Sequence, residues 1–221
     1  MKVSFAALQG RIALLGGSFD PIHTGHIELA KLAKTKLALD HVVFIPAKHN
    51  PLRENGPTAS DADRLEMLRL ALIDQNGFEY SDIETQPNTE FSYSVDTLRK
   101  IRAENKDKSI QLFFVFGTDQ IEKLHLWKEY KELFNLAHLV VVGRQGIKAE
   151  DFAKLNANLS IEEIKILSSN FLDFDFPISS SQIREYLNKG DLKSVRKSLP
   201  VGVFDWIIQN NLYQCSMSIK I

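Results

Sequence analysis

The chain has 221 residues, of which 44% are hydrophobic, and a formal net charge of −1. This composition suits one compact domain with a sizeable core, or a domain with a small appendage, and it excludes a disordered or low-complexity chain. The 27 Lys and Arg residues and 28 Asp and Glu residues are mixed along the sequence. Charge therefore gives no reason to expect a nucleic-acid track or an anionic membrane surface as a partner.

The cysteine count and the N-terminal residues both predict a cytoplasmic protein. Cys215 is the single cysteine, so neither an intrachain disulfide nor a cysteine-based zinc cluster can form. Gln9, Gly10 and Arg11 interrupt the first apolar run before it reaches the length of a signal peptide. No apolar run approaches the roughly 20 residues that a membrane-spanning helix needs. The sequence leaves open whether the chain forms a homo-oligomer.

Short apolar runs rich in β-branched and aromatic residues predict buried strands at residues 11–16, 41–46, 110–116 and 139–143. Helical spacing predicts helices at residues 26–39, 62–73 and 94–102, and a broken helical stretch at 121–136. This alternation implies right-handed crossovers between parallel strands. We therefore predict an α/β fold, a Rossmann-like open parallel sheet with helices on both faces, in which ligands bind beyond the carboxyl ends of the strands.

The pattern changes to helices after Pro177, where residues 179–188, 191–198 and 201–210 are the candidates. A polar tail follows from Gln214. We predict a single domain over residues 1–221, in which residues 177–213 form a C-terminal helical subregion and residues 214–221 a tail.

The first candidate site lies at residues 12–26, IALLGGSFDPIHTGH, which run from a strand through a glycine turn into a helix start. Gly16 and Gly17 allow a sharp turn and a close approach to a ligand, and the amides of the helix start attract anions. His23 and His26 are three apart, which predicts two imidazoles on one side of the helix start. This combination favours polyphosphate binding, although a glycine pair alone is more typical of a simple tight turn.

The second candidate site is ISSSQIR at residues 178–184. Pro177 followed by Ser179 and Ser180 predicts a helix N-terminus whose amides and hydroxyls can bind phosphate oxygens. Arg184, about one turn into this helix, adds a planar set of donors. Taken alone, the segment is more typical of a serine cap with an exposed arginine.

Together, the two segments resemble the signatures of one superfamily. GGSFDPIHTGH at residues 16–26 resembles the (H/T)xGH signature of the nucleotidyltransferase α/β-phosphodiesterase superfamily, in the form that nicotinate-nucleotide adenylyltransferases use. ISSSQIR resembles the ISSTxIR element of the same superfamily, with Ser181 in place of the usual threonine. We therefore expect both segments to act on the phosphates of ATP.

Three further segments are similar to nicotinate-nucleotide adenylyltransferases, in the expected order. Residues 91–98, FSYSVDTL, resemble their SYTxxTL segment, residues 117–119 with Trp127 resemble GxD…W, and residues 137–144 resemble AHLxxxxR. The resemblance implies that Asp119 contacts adenosine, that the aromatic segment flanks the pyridine ring and that Arg144 holds the mononucleotide. Without it, Trp127 is more typical of core packing, Asp119 suits a helix cap and Arg144 suits a solvated strand end.

The implied activity joins ATP to nicotinate mononucleotide, giving deamido-NAD and pyrophosphate in NAD biosynthesis. The expected catalytic residues are His23, His26 and Arg184. The expected ATP-binding residues are Gly16, Gly17, Ser18, Phe19, Asp119, Ile178, Ser180 and Ser181. The expected mononucleotide-binding residues are Lys48, Arg53, Ser94, Trp127 and Arg144. Alternatives are a sister enzyme for nicotinamide mononucleotide or phosphopantetheine, and an inactive nucleotide-binding regulator.

One loop departs from the family pattern. AKHNPLR at residues 47–53 stands where a PPHK-like loop is usual: Asn50 replaces the first proline, Leu52 replaces histidine and Arg53 keeps the positive charge. His49 is a candidate replacement for the missing histidine. The departure leaves the preference between a ring acid and a ring amide open.

We expect an in-line attack of the mononucleotide phosphate on ATP without a covalent enzyme intermediate, because such a transfer needs positioning and charge neutralisation more than a protein nucleophile. The expected cofactor is Mg²⁺, held mainly by the ATP phosphates and water, and no protein metal ligand is assigned. Asp20 suits either an outer-shell position around that ion or a place in the tight turn.

Overall fold

The computed structural model describes residues 1–105, 110–143 and 146–213. Within these residues, six strands form one parallel sheet in the order β3-β2-β1-β4-β5-β6. The strands are β1 Gly10–Gly17, β2 His41–Pro46, β3 Phe78–Tyr80, β4 Ile110–Gly117, β5 His138–Val142 and β6 Phe171–Leu172. The predicted α/β fold with an open parallel sheet is therefore confirmed.

Four of these strands match the predicted runs, whereas β3 and β6 were not predicted. In β1, residues 12–15 are all at most 5% exposed, because a central parallel strand is covered on both faces and reads as a continuous apolar run. The edge strands have three and two residues. Such short segments carry no apolar run for a sequence pattern to detect.

Helices cover both faces of the sheet. They are α1 Thr24–Lys36, α2 Asp61–Ala71, α3 Ser94–Glu104, α4 Tyr130–Leu136, α5 Phe152–Leu155, α6 Ile161–Ser169, α7 Ser180–Asn188, α8 Leu192–Ser198 and α9 Val201–Gln209. Among the described residues, no helix is long and apolar enough to cross a membrane. The predicted helices are present with ends shifted by a few residues, and the broken stretch is a 3₁₀ segment, Thr118–Leu126, followed by α4.

Two helices, α5 and α6, were not predicted. The start of α6 carries a capping box in which Ser160 and Glu163 each accept a backbone N–H of the other. A serine followed three residues later by glutamate before apolar residues is the sequence signature of such a start. This signal was available in the sequence and was missed.

Alternate residues of β1 face two separate cores. Ala13 and Leu15 pack in a core with α1, α2 and the C-terminal helices α7 to α9. Ile12 and Leu14 pack in a second core with α3, α4, α5 and α6. The C-terminal helices therefore complete a face of the sheet and bring residues 180–184 to the turn that follows β1. Residues 214–221, the predicted tail, lie outside the described residues.

The order of the strands places the functional segments at one edge. The chain passes from β1 to β2 on one side, and β4 pairs with the other side of β1. In an open parallel sheet the crevice between such strands, at their carboxyl ends, is the usual ligand site. The turns after β1, β2 and β4 all open at this edge.

Candidate active site

A cavity of about 930 Å³ opens at the carboxyl edge of the sheet. Of the residues that the sequence predicted to be functional, those lining it are Gly16, Gly17, Ser18, Phe19, His23, His26, Arg53, Ser94, Asp119, Trp127, Ile178, Ser180, Ser181 and Arg184. Lys48 does not line the described part of the cavity. Arg144 lies outside the described residues. Residues up to 168 positions apart in the sequence, from Gly16 to Arg184, thus meet at one cavity.

His23 and His26 stack at the beginning of α1. Their ring centroids are 3.7 Å apart and the rings are tilted by 27°. The backbone N–H of His23 donates to Nδ1 of His26 at 3.2 Å, so a neutral His26 carries its proton on Nε2. The prediction of two imidazoles on one side of the helix start is confirmed.

Phe19 packs against the His26 ring of this pair. Its side chain is 2% exposed, and its ring meets the ring of His26 edge-on with centroids 5.0 Å apart. Phe19 has φ 46, in the left-handed region. Because the Phe19 ring is buried, Phe19 can offer a phosphate only its backbone, as part of the turn from Gly16 to Phe19.

The second motif is bonded directly to the first. Ser179 caps α7 by accepting from Gln182 N at 3.2 Å, and Ser180 Oγ donates to Pro21 O at 2.9 Å. Arg184 Nη1 donates to Asp20 O at 2.6 Å. The Arg184 side chain remains 29% exposed and lines the cavity. Two motifs that are far apart in the sequence thus form one continuous wall.

Asp20 is buried, and protein donors bind both of its carboxylate oxygens. Oδ2 accepts from Thr58 N at 2.7 Å, and Oδ1 accepts from Ala59 N at 3.0 Å and from the hydroxyl of Tyr213 at 2.9 Å. The sequence left Asp20 between a metal-shell role and a turn role. These partners lie 38, 39 and 193 positions further along the chain, so the carboxylate joins the turn to two distant segments.

Arg64 is a site residue that the sequence analysis missed. It is fully buried, and its Nη1 donates to the carbonyls of Ser18 at 2.7 Å and Ala47 at 2.8 Å. A signal was present: Arg64 occupies the same helical stripe as the buried Met67, Leu68 and Ala71. A charged residue in an apolar stripe indicates a buried, hydrogen-bonded role.

Asp61 lies between two cations. It contacts Lys48 Nζ closely, and its Oδ1 accepts from Arg64 Nη2 at 2.6 Å. Burial alone would raise the pKa of Asp61, but the hydrogen bonds from Lys48 and Arg64 together hold that pKa below its usual value. Asp61 therefore stays ionised and keeps Lys48 beside α2, and binding of the mononucleotide by Lys48 remains a prediction.

The unusual loop after β2 is held by its own hydrogen bonds. Asn50 Oδ1 accepts from Leu52 N at 2.9 Å, which is an Asx turn. His49 Nε2 lies 3.0 Å from Arg53 O, and the His49 ring packs against Phe91 with centroids 5.3 Å apart. His49 thus supports the loop and does not line the described part of the cavity, whereas Arg53 does.

An aromatic wall, formed by Tyr93 and Trp127, faces the cavity. Trp127 packs against Phe116 and Phe114 with centroids 5.7 Å and 6.2 Å away, so it is both a core residue and a cavity residue. Lys128 Nζ lies 4.9 Å from the centroid of the Tyr93 ring. It also donates to Asp96 Oδ2 at 2.8 Å. These contacts fix the wall to the start of α3, which begins at Ser94.

Glu84 is a second site residue that the sequence analysis missed. It lines the cavity and accepts from Thr97 Oγ1 at 2.6 Å. Burial raises the pKa of Glu84, and hydrogen bonds from Thr97 and Ser92 only partly offset the rise. It sits in an irregular segment after β3, where no periodic pattern marks it.

The site offers cations and amides rather than a metal cage. Within residues 1–105, 110–143 and 146–213, no group of three or more His, Cys, Asp or Glu side chains is placed to hold a metal ion. At the phosphate motifs the donors are the two histidines, Arg184 and the amides at the starts of α1 and α7. This donor set suits polyanions such as phosphates.

Comparison with known proteins agrees with this geometry. Residues 14–186 match the cytidylyltransferase-like family. A probable nicotinate-nucleotide adenylyltransferase from Desulfatibacillum aliphaticivorans is 36% identical over 225 residues, covering 92% of this chain and 99% of the relative. One from Geobacter sp. (strain M21) is 36% identical over 221 residues, covering 92% and 98%.

A solved structure supports the same fold. The nicotinic acid mononucleotide adenylyltransferase of Plasmodium falciparum, complexed with NaAD, superposes with a TM-score of 0.71. The match covers 93% of this chain and 98% of that one at 19% identity. Taken with the sequence relatives and the two joined phosphate motifs, these matches show that the chain belongs to the cytidylyltransferase-like family and, within it, to the nicotinate-nucleotide adenylyltransferases.

Proposed function

We propose that this chain joins ATP to nicotinate mononucleotide, forming deamido-NAD and releasing pyrophosphate. The observation that carries the proposal is the junction of the two phosphate motifs, where Arg184 is bonded to Asp20 in the turn that leads to the stacked His23 and His26. Relatives at 36% identity are named for this activity. The Plasmodium falciparum enzyme was solved with NaAD, which is the dinucleotide that this reaction forms.

The reaction is a single displacement at phosphorus. An oxygen of the mononucleotide 5′-phosphate forms a bond to the α-phosphorus of ATP, and the bond from the α-phosphorus to the bridging oxygen breaks. Pyrophosphate leaves with that electron pair. Negative charge grows on the leaving phosphate oxygens, so His23, His26, Arg184 and the amides of the turn stabilise the transition state. No protein nucleophile is needed.

We place both nucleotides in the cavity of about 930 Å³. In our proposal, the aromatic wall of Tyr93 and Trp127 holds the pyridine ring, because flat apolar faces favour stacking of an aromatic ring. Ser94 at the start of α3 and Arg53 in the loop after β2 serve the acidic mononucleotide. Asp119, which follows β4, serves the ribose of ATP. These roles follow from position and from the family.

Magnesium enters our proposal with ATP. The protein donors at the phosphate motifs are cationic or neutral, and the carboxylate of Asp20 is engaged by Thr58, Ala59 and Tyr213. Such a site fits an ion that the triphosphate and water hold. When bound, the ion neutralises charge on the phosphate oxygens. The residues of the chain bind and orient the phosphates.

Pyrophosphate release tests this function. Purified protein with ATP and magnesium is given nicotinate mononucleotide or nicotinamide mononucleotide side by side. The expected result is release with a strong preference for the acid, and loss of release in His23→Ala. His138→Ala is the matched control, because His138 is exposed at the amino end of β5, away from the cavity. Preference for the amide would assign the sister activity, and no release above the His23→Ala background would leave only a binding role.

A further inference from the structure

The contacts of Asp20 form a clasp, defined as Asp20, Thr58, Ala59 and the hydroxyl of Tyr213. The Asp20 carboxylate accepts from the two amides at 2.7 Å and 3.0 Å and from the hydroxyl at 2.9 Å. Asp20 is 3% exposed, so its carboxylate is largely shielded from water. A charged acceptor with three donors in a buried place makes strong hydrogen bonds.

The clasp holds one end of the loop at residues 50–57. This loop lines the cavity over most of its length, and Arg53 lies within it. At its other end, Lys48 N donates to Ser92 Oγ at 2.8 Å and Ser92 N donates to His49 O at 2.9 Å, which joins the loop to the segment that carries the aromatic wall. The loop is thus anchored on both sides of the cavity, once at the aromatic wall and once at the phosphate motif.

Tyr213 reaches the clasp from the end of α9. It packs against the core that contains α1 and α2, and its φ of 63 turns the chain after the helix. Burial, followed by the nearby Asp20 carboxylate, raises the pKa of the Tyr213 phenol well above its usual value. The hydroxyl therefore keeps its proton and remains a donor to Asp20 across the physiological pH range.

We propose that Tyr213 is a positioning residue for the mononucleotide subsite, which acts through Asp20 to hold the 50–57 loop over the cavity. This proposal rests on the proposed function for the identity of the nucleotide. Arg184 Nη1 donates to the main-chain carbonyl of Asp20 at 2.6 Å and lies 3.6 Å from its carboxylate Oδ2, and neither contact uses the Tyr213 hydroxyl. Loss of the hydroxyl therefore loosens the loop and leaves the binding of ATP unchanged.

The test is Tyr213→Phe, which removes one hydroxyl and keeps the ring. The KM for nicotinate mononucleotide is expected to rise by about threefold to tenfold, the range for the net loss of one typical intramolecular hydrogen bond. The KM for ATP and kcat are expected to change less than twofold. Tyr186→Phe is the matched control, because Tyr186 packs against the same core and lies outside the clasp. An equal rise in both KM values, or a loss confined to kcat, would overturn the proposal.

A second measurement is independent of turnover. Amide hydrogen exchange at Thr58 and Ala59 is measured without substrates in the parent protein, Tyr213→Phe and Tyr186→Phe. Faster exchange in Tyr213→Phe alone is the expected result, by about threefold or more, because local opening is governed by the bonds that hold a segment. Unchanged exchange would contradict the proposal that Tyr213 acts through Asp20 on Thr58 and Ala59. If no mononucleotide supports pyrophosphate release, the proposed function fails while this measurement still decides the clasp.

Discussion

Gly25 lies directly against the ring of Phe176, and the two leave no space for a side chain. A Cβ on Gly25 would come within 2.5 Å of Phe176 Cδ1 and 3.0 Å of the His23 ring. Real Cβ atoms do not approach carbon this closely, so one of the two rings must move. Gly25, the third glycine of the first motif, is therefore required by the close packing around His23.

Replacement of Gly25 by alanine is expected to lower kcat by about tenfold or more, because small misplacements of catalytic groups are costly. Overpacking should also lower the free energy of unfolding by about 1–3 kcal/mol. Steady-state kinetics and thermal melting measure both. Gly202→Ala in α9 is the control, since its Cβ would meet Leu70 at an ordinary 3.4 Å. Full activity in Gly25→Ala would contradict the role of this packing.

His26 is expected to stabilise negative charge in the transition state and to contribute little to the stability of the fold. Its ring is half-buried beside His23 and Phe19. Replacement by alanine should reduce kcat about 10²- to 10³-fold, the usual effect of removing one donor to a developing oxyanion. The melting temperature should change by a few degrees at most. Single-turnover measurement at saturating substrates separates chemistry from binding, and a reduction below threefold would remove His26 from the catalytic set.

Arg64 and Arg69 lie on the same helix in opposite environments, which makes a matched pair. Arg64 is fully buried and holds two main-chain carbonyls and Asp61, whereas the Arg69 side chain is 48% exposed and pairs with Glu66. Arg64→Met should lower the free energy of unfolding by about 3–5 kcal/mol, because it leaves two main-chain carbonyls without this donor and removes one of the two cations beside Asp61. Arg69→Met should cost about 1 kcal/mol or less. Denaturant unfolding measures both, and equal effects would refute the structural role of Arg64.

Glu84 is expected to make stability depend on pH. Burial raises its pKa in the folded chain, so the folded state holds the proton to a higher pH than the unfolded state does. Its contribution to stability is complete below the unfolded pKa and is lost as pH rises through the raised value. Glu84→Gln mimics the protonated form. The melting temperature of Glu84→Gln, measured relative to that of the parent protein, should therefore rise as the pH is raised from 4 to 8.

Glu66 provides the control of opposite sign. The hydrogen bond from Arg69 lowers the pKa of Glu66, so its contribution is present above the unfolded pKa and is lost as pH falls through the lowered value. Relative to the parent protein, Glu66→Gln should lose stability over the same rise in pH. Parallel slopes for the two variants would contradict the assignment of Glu84.

The sequence predicted those features of the fold that repeat along the chain. The four long strands were recognisable because central parallel strands are apolar throughout, and α7 was recognisable from its serine cap. The pairing of the two histidines could be predicted because residues three apart at a helix start lie on the same side of the helix. Short edge strands have no period and were missed.

The residues missed in the site are those whose importance comes from what surrounds them. The apolar stripe of α2 marks Arg64 as buried, but its two carbonyl partners, which directly follow β1 and β2, come from packing alone. Glu84 sits in an irregular segment and matters because α3 covers it. The sequence left Asp20 between a metal-shell role and a turn role, and its partners Thr58, Ala59 and Tyr213 come from three-dimensional packing alone.

The bond between Asp20 and Tyr213 also sets the order in which the protein becomes functional during its synthesis. These residues are 193 positions apart, so Asp20 leaves the ribosome long before its partner exists. The six strands can pair once residue 172 has emerged. Arg184 and then Tyr213 follow only afterwards. A nascent chain can therefore possess a complete sheet and still lack a finished nucleotide site.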